Sequence, residues 1–121
     1  MILNFSVKNF LSFKNEQTIS FEASNSDVLE DIYCYRSSRN KKILKMGILY
    51  GANASGKTNL LKAIDFVRDI IITPKADKST KIEFIPFQLD SESNKKPGKF
   101  KLSFIVEDIE YIYDLILDRE R

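Results

Sequence analysis

Hydrophobic and polar residues alternate near both ends of the chain, whereas a segment in the middle repeats with the period of a helix. Residues 2–8 and 18–23 both alternate, and a period of two places successive side chains on opposite faces of a strand. The pattern therefore predicts two half-exposed antiparallel strands. The connection over residues 9–16 mixes aromatic residues with Asn, Ser and Lys, so we expect it to turn the chain and to bury Phe10 and Phe13.

The helical segment begins at Thr58, from which apolar residues recur three and four positions apart. One apolar stripe contains Leu60, Ile64, Val67 and Ile71, and a neighbouring stripe contains Ala63, Phe66 and Ile70. Pro74 ends the predicted helix, because a proline pushes the residue before it out of the α region. Upstream of the helix, the apolar run at residues 46–50 predicts a strand that is buried on both faces.

The C-terminal part of the chain predicts a β-hairpin. Residues 100–117 alternate along two arms, with a turn near Glu107 and Asp108. Residues 82–89 predict a short edge strand that is interrupted by Pro86, since proline cannot donate a hydrogen bond within a sheet. The predicted order is thus β-rich, then one strand–loop–helix unit, then β-rich again.

Two segments lack a regular period and are rich in Ser, Asn and charged residues, so we predict loops at residues 24–42 and 90–99. A basic cluster without any acidic residue overlaps the first loop and consists of Arg36, Arg39, Lys41, Lys42 and Lys45. We interpret this cluster as a solvated face. The net charge of +2 is too small to indicate a nucleic acid or an anionic membrane as a partner by itself.

Residue counts exclude whole classes of chemistry. The chain has no histidine, which excludes Ser-His-Asp and Cys-His catalysis and nearly all zinc sites. Cys34 is the only cysteine, so an internal disulfide cannot form, and we expect a buried or half-buried thiol in a reducing compartment. The sequence shows neither a signal-peptide pattern nor an apolar segment of membrane length, which predicts a cytoplasmic protein without a membrane partner.

One motif carries candidate chemistry. Residues 51–58 read Gly-Ala-Asn-Ala-Ser-Gly-Lys-Thr and fit G-x-x-x-x-G-K-[ST] at every fixed position, between a predicted strand and a predicted helix. Backbone N–H groups of such a loop surround a phosphate, because Gly51 and Gly56 permit close approach of the backbone. The helix that opens at Thr58 adds unpaired N–H groups and the positive end of its dipole.

The motif assigns roles to individual residues. Lys57 supplies a charge for the β- and γ-phosphates and is the candidate catalytic residue, while the Thr58 hydroxyl is the candidate Mg²⁺ ligand. The predicted nucleotide-binding residues are Gly51, Ala52, Asn53, Ala54, Ser55, Gly56, Lys57, Thr58 and Asn59. We therefore predict ATP and Mg²⁺ as cofactors; the loop alone does not distinguish ATP from GTP.

Hydrolysis also needs an acid that holds the metal and a residue that places the attacking water. Asp118 follows three apolar residues and is a candidate acid, but Arg119 interrupts the Asp-Glu pair that is usual at this position. Gln17 and Gln88 are candidates for placing the water, and each is equally suited to a surface or strand position. From the residues alone we expect this chain to hold a triphosphate without cleaving it.

Several of these stretches resemble a known family. ILNFSVKNFLSF at residues 2–13 and GILYGANASGKTNLLKAI at residues 47–64 resemble the start of ATPases related to RecF and the SMC proteins. They are most similar to AAA-type ATPases of phage-defence systems, which include the abortive-infection ATPases and the overcoming-lysogenisation-defect (OLD) group. The motif at residues 51–58 is the Walker A motif of these ATPases. PFQLD at residues 86–90 and the hairpin after it are similar to the segment that follows the Walker A helix in them. Ala54 stands where the ABC and SMC form usually has Gly, which favours the defence-type branch.

The resemblance implies a fold of the α/β (α+β) class, namely part of a P-loop NTPase of the ABC/RecF-like head type. In such a head, a mixed sheet surrounds one Walker A helix and an antiparallel β subdomain flanks it. The resemblance also implies that residues 1–121 are the N-terminal lobe of an ATPase domain. The signature motif, the Walker B acids and a switch histidine would belong to a second lobe, whose motifs this sequence does not contain.

The implied function is binding of Mg²⁺–ATP by the Walker A lobe of an ATPase in phage defence or in a DNA-linked process. The alternative is a nucleotide-gated switch that recruits an effector or DNA without significant hydrolysis. The expected partners are ATP, the remainder of the head and a second head in a homodimer. DNA is a further candidate, through the basic cluster at residues 36–45 or through Lys75, Lys78 and Lys81.

Overall fold

The computed structural model describes residues 1–24, 29–36, 41–48, 50, 56–73 and 84–118. In chain order the elements are β1 (Ile2–Lys8), β2 (Gln17–Ser20), α1 (Glu30–Tyr33), β3 (Cys34–Arg36), β4 (Lys42–Leu44), α2 (Lys57–Ile72), β5 (Gly98–Val106) and β6 (Ile109–Leu117). A short 3-10 turn at Ser93–Lys95 precedes β5. The order of elements confirms a mixed α/β domain with antiparallel sheets and one long helix.

Four strands form an antiparallel sheet in the order β2-β1-β5-β6. Both predicted N-terminal strands and the C-terminal hairpin are therefore confirmed. Ile2 pairs with Phe104 and Asn4 pairs with Ser103, so β1 has one more residue than β5 at this point. Side chains of a strand alternate between its two faces, so the extra residue shifts this alternation along β1. The β-bulge therefore places Leu3 on the opposite face of the sheet from Phe5 and Val7.

The larger core cluster lies where α2 packs on the sheet. Its buried members are Phe5, Val7, Phe10, Ala63, Val67, Phe84 and Phe100. The Phe10 ring lies 5.1 Å from that of Phe66 and 5.2 Å from that of Phe100, measured between centroids. Each fully buried side chain of this size contributes about 1.5–3 kcal/mol. The predicted apolar stripes of α2 are confirmed near the middle of the helix, whereas Ile71 near its end is 45% exposed.

A smaller cluster lies at the β-bulge, where Leu3, Ile43 and Ile105 are buried together. Ile43 belongs to β4, which pairs with β3 in a separate two-stranded sheet. The predicted loop over residues 24–42 is therefore wrong in part, since it contains α1, β3 and the start of β4. Two three-residue strands are too short for a periodic pattern to reveal. Cys34 is half-buried, as expected.

The turn of the C-terminal hairpin falls at the predicted residues. Val106 pairs with Ile109, so Glu107 and Asp108 are its two central residues. Their φ angles of 51° and 62° are both left-handed, as a type I′ turn requires. This turn suits the right-handed twist of the two strands, and an acidic pair replaces the more usual Asn-Gly.

Two predicted strands are absent from the part of the chain that the structure describes. Residues 46–48 and 50 form no strand, and Met46, Ile48 and Tyr50 are 63%, 79% and 88% exposed. A strand buried on both faces needs neighbours that cover it, and no described strand pairs with these residues. Residues 84–88 of the predicted edge strand are also irregular, although Phe84 and Pro86 are buried.

The side chain of Asn9 forms hydrogen bonds with the backbone of the segment before β5, which pairs with no described strand. Asn9 is 3% exposed and donates from Nδ2 to the backbone oxygens of Ser93 (2.9 Å), Lys96 (2.9 Å) and Pro97 (3.3 Å). Its Oδ1 accepts the N–H of Phe87 at 3.1 Å. Asn9 also has a left-handed φ of 53°, which Asn tolerates better than most residues. One side chain therefore fixes residues 87–97 against the end of β1.

We expect Asn9→Ala to lower the free energy of unfolding by about 3 kcal/mol, because it leaves buried carbonyl groups unpaired and keeps a left-handed backbone. Urea denaturation followed by circular dichroism measures this change. Asn15→Ala is the matched control, since Asn15 is exposed and should shift the unfolding free energy by less than about 0.5 kcal/mol. Equal stability of the two variants would contradict the role of Asn9.

Candidate functional site

Helix α2 begins at a residue with an unusual backbone conformation. Gly56 is its N-cap, with φ 92° and ψ 5°, and its carbonyl accepts the N–H of Leu60 at 3.0 Å. A side chain at this φ is strained, so the motif position that fixes Gly at residue 56 has a direct structural reason. The left-handed residue immediately precedes Lys57, the first residue of the helix.

The first turn of α2 presents an electropositive end. The N–H groups of Gly56, Lys57, Thr58 and Asn59 have no acceptor within the helix, as in any α-helix. Gly56, the N-cap residue, has no side chain to cap them, and no acidic residue occupies the first turn. Together with the dipole of the 16-residue helix, these donors can bind an anion.

The loop between β1 and β2 contacts this turn. Asn59 Nδ2 donates to Ser12 Oγ at 2.9 Å, and a Cβ on Gly56 would lie 3.4 Å from the same oxygen. Ser12 belongs to the predicted connection over residues 9–16 and to the stretch at residues 2–13 that carries the resemblance, but neither assigned it a role in the site. The signal that could have done so is a polar residue between two phenylalanines shortly after a strand.

The structure brings four of the nine predicted site residues together. Gly56, Lys57, Thr58 and Asn59 form the N-cap and first three positions of α2, where Lys57 is half-buried and Thr58 is exposed. The other five, Gly51, Ala52, Asn53, Ala54 and Ser55, lie outside the described residues. The arrangement of the four agrees with the motif, and the roles of all nine remain predictions.

The candidates for hydrolysis are dispersed over the sheet. Asp118 is exposed and follows β6, an outer strand whose neighbour is the antiparallel β5, so the parallel context of a Walker B strand is missing there. Gln17 on β2 and Gln88 are also exposed. Within the described part of the chain, no three His, Cys, Asp or Glu side chains are grouped so that they could hold a metal ion.

The basic cluster at residues 36–45 is partly neutralised. Lys41 Nζ lies 2.9 Å from Glu110 Oε2 and 3.8 Å from Glu22 Oε1. Arg39 and the second candidate DNA contact, at Lys75, Lys78 and Lys81, lie outside the described residues. None of the helices in the described ranges has the length and apolarity of a membrane span.

An ion pair joins the Ser12 loop to the segment before β5. Lys14 Nζ lies 2.9 Å from Asp90 Oδ2, and this hydrogen bond raises the pKa of Lys14 and lowers the pKa of Asp90. The Glu92 N–H also donates to Asp90 and lowers its pKa further. The contribution of Asp90 is lost when pH falls below its lowered pKa, and that of Lys14 when pH rises above its raised pKa. The pair is therefore intact across neutral pH.

Comparison with protein families matches residues 48–121 to the family model described as "AAA domain, putative AbiEii toxin, Type IV TA system". The match covers more than half of the chain and includes the motif at residues 51–58, the helix α2 and the C-terminal hairpin. Comparisons with curated proteins and with solved structures give no match.

We expect Gly56→Ala to destabilise the fold by about 1–2 kcal/mol, because alanine is strained at a left-handed φ. The urea midpoint measures this change. Gly47→Ala is the matched control, since a Cβ there would meet the Phe21 ring at an ordinary 3.6 Å. A Gly56 variant as stable as the Gly47 variant would show that the turn into α2 is not the one described.

Proposed function

The chain belongs to the family of AbiEii-type AAA domains, and we propose on that premise that residues 51–59 bind the phosphates of Mg²⁺–ATP. Membership of a P-loop ATPase family suggests nucleotide binding. The observation that carries the proposal to particular residues is the start of α2. There the motif's second glycine is the N-cap, without a capping side chain, of a helix whose first turn has no acidic residue.

The proposed roles follow from the chemistry of each group. Backbone N–H groups of Gly51, Ala52, Asn53, Ala54, Ser55, Gly56 and Asn59 surround the phosphate oxygens. The ammonium of Lys57 contacts the β- and γ-phosphates, and the Thr58 hydroxyl ligates Mg²⁺. Mg²⁺ would keep waters and phosphate oxygens among its other ligands.

The finer identity is also a proposal. The antiparallel sheet of β1, β2, β5 and β6 beside α2 supports a lobe of an ABC/RecF-like head, related to the OLD group and to SMC heads. In such a head, residues 1–121 would be the N-terminal lobe, and a second lobe and a second head would complete the ATP site. The family description names a toxin of a toxin–antitoxin system, which supports a role in bacterial phage defence.

DNA is the weaker of the proposed partners. The carboxylates of Glu22 and Glu110 lie beside Lys41, and they reduce the positive charge that the 36–45 cluster can offer to a phosphate backbone. ATP, by contrast, matches both the motif and the electropositive first turn of α2. The proposal therefore places nucleotide binding first.

We expect Lys57→Ala to weaken Mg²⁺–ATP binding by about ten- to a hundredfold, since a hydrogen bond to a charged group contributes about 1.5–3 kcal/mol. Isothermal titration calorimetry measures the Kd. Lys62→Ala is the matched control, because Lys62 is an exposed lysine of the same helix, one turn beyond the proposed site. Equal affinity of both variants would remove the phosphate-loop assignment.

We expect the 121-residue chain to bind ATP without appreciable hydrolysis. The first turn of α2 contains no acidic residue that could join Thr58 at the metal, and both candidate glutamines are exposed on other segments. A phosphate-release assay measures turnover. Turnover that disappears in the Lys57→Ala variant would prove this expectation wrong.

A further inference from the structure

Ser12 is held against the start of α2 by a loop that the rest of the fold fixes. Phe10 and Phe13 exchange two backbone hydrogen bonds of 3.0 and 2.9 Å, and the Phe10 side chain lies in the main core. Leu11 donates its N–H to the carbonyl of Ile85 at 3.0 Å. The Ser12 hydroxyl is therefore placed by the hydrogen bonds of its own loop and by core packing of Phe10, which includes the Phe66 ring of α2.

Asn59 occupies a position where its side chain could block the start of the helix. It is the third residue of α2, the position from which the Glu or Gln side chain of a capping box reaches back to the N–H of the N-cap residue. The Asn amide carries the same acceptor oxygen as Gln. Here the N-cap residue is Gly56, whose N–H belongs to the proposed phosphate loop. A side-chain bond to this N–H would compete directly with a phosphate oxygen.

The structure shows the Asn59 amide in the other arrangement. Its Nδ2 donates to Ser12 Oγ at 2.9 Å. Ser12 Oγ also lies near Gly56, since a Cβ built on that glycine would be 3.4 Å from it. One hydroxyl thus holds the Asn59 amide beside the start of the helix.

We propose that Ser12 is a positioning residue for nucleotide binding, which holds the Asn59 amide away from the Gly56 N–H and leaves that N–H for a phosphate oxygen. The inference rests on the proposed phosphate site at residues 51–59. Ser12 acts through Asn59 and does not need to contact the nucleotide. Without Ser12, the Asn59 side chain is free to cap the helix, and the phosphate must displace it.

The test measures the effect of Ser12→Ala on the Kd of Mg²⁺–ATP in two backgrounds. In the otherwise unchanged chain we expect about three- to tenfold weaker binding, the cost of displacing one hydrogen bond. In the Asn59→Ala background we expect the same change to alter the Kd by less than about twofold, because there is no amide to release. Ser12→Thr keeps the hydroxyl and is expected to bind like the unchanged chain.

Ser20→Ala is the matched control, because the Ser20 hydroxyl also makes one exposed hydrogen bond, to the N–H of Glu22 at 3.2 Å. The side-chain amide resonance of Asn59 gives a readout without nucleotide, and it should shift in Ser12→Ala but not in Ser20→Ala. An unchanged resonance would overturn the proposal even if the Ser12→Ala variant were less stable.

The remaining outcomes separate this inference from the proposed function. Unchanged affinity of Ser12→Ala, together with a large loss in Lys57→Ala, would overturn the role of Ser12 and leave the phosphate site in place. An equal loss from Ser12→Ala in both backgrounds would show that Ser12 does not act through Asn59. Unchanged affinity in both Ser12→Ala and Lys57→Ala would remove the phosphate site itself.

Discussion

The side-chain amide of Asn9 is the interaction on which the arrangement of this domain depends. It satisfies three backbone carbonyls and one N–H from residues 87–97, a segment that has no strand pairing of its own before β5 begins. Buried backbone groups need partners, and a single buried amide supplies four of these bonds. The same residue turns the chain at the end of β1 with a left-handed φ, and so it sets where the following loop lies.

The candidate site inherits its geometry from that loop. Because Asn9 and Phe10 fix the loop in the core, Ser12 meets the start of α2 at Gly56 and Asn59. An electropositive N-terminus is common to all helices. At the start of α2, however, the Ser12 hydroxyl accepts a hydrogen bond from Asn59, and the N-cap is a glycine with a left-handed φ. The core packing at the end of β1 therefore fixes the position of the loop, and the loop in turn places Ser12 at the proposed phosphate site.

The sequence predicted the elements whose patterns are long. The strand β1, the helix α2 and the β5–β6 hairpin each repeat over seven or more residues, so burial on one face leaves a clear period. The strands β3 and β4 have three residues each, and no period can be read from them. Residues 46–50 were predicted as a buried strand from apolarity alone, but burial also requires a covering neighbour. Phe84 is buried in the main core, stacked on Phe10, through a long-range contact that local periodicity does not contain. The motif predicted the place of residues 56–59, whereas Ser12 depends on tertiary contact.

The central claim is that nucleotide phosphates bind at the start of α2, against the loop that carries Ser12. A titration of the ¹⁵N-labelled chain with Mg²⁺–ATP, followed by amide chemical shifts, tests this claim most directly. If phosphates bind there, we expect the largest shifts at Gly56, Lys57, Thr58 and Asn59, smaller shifts at residues 11–13 and none along β6. Shifts that are absent, or that are largest on the β5–β6 hairpin, would contradict it.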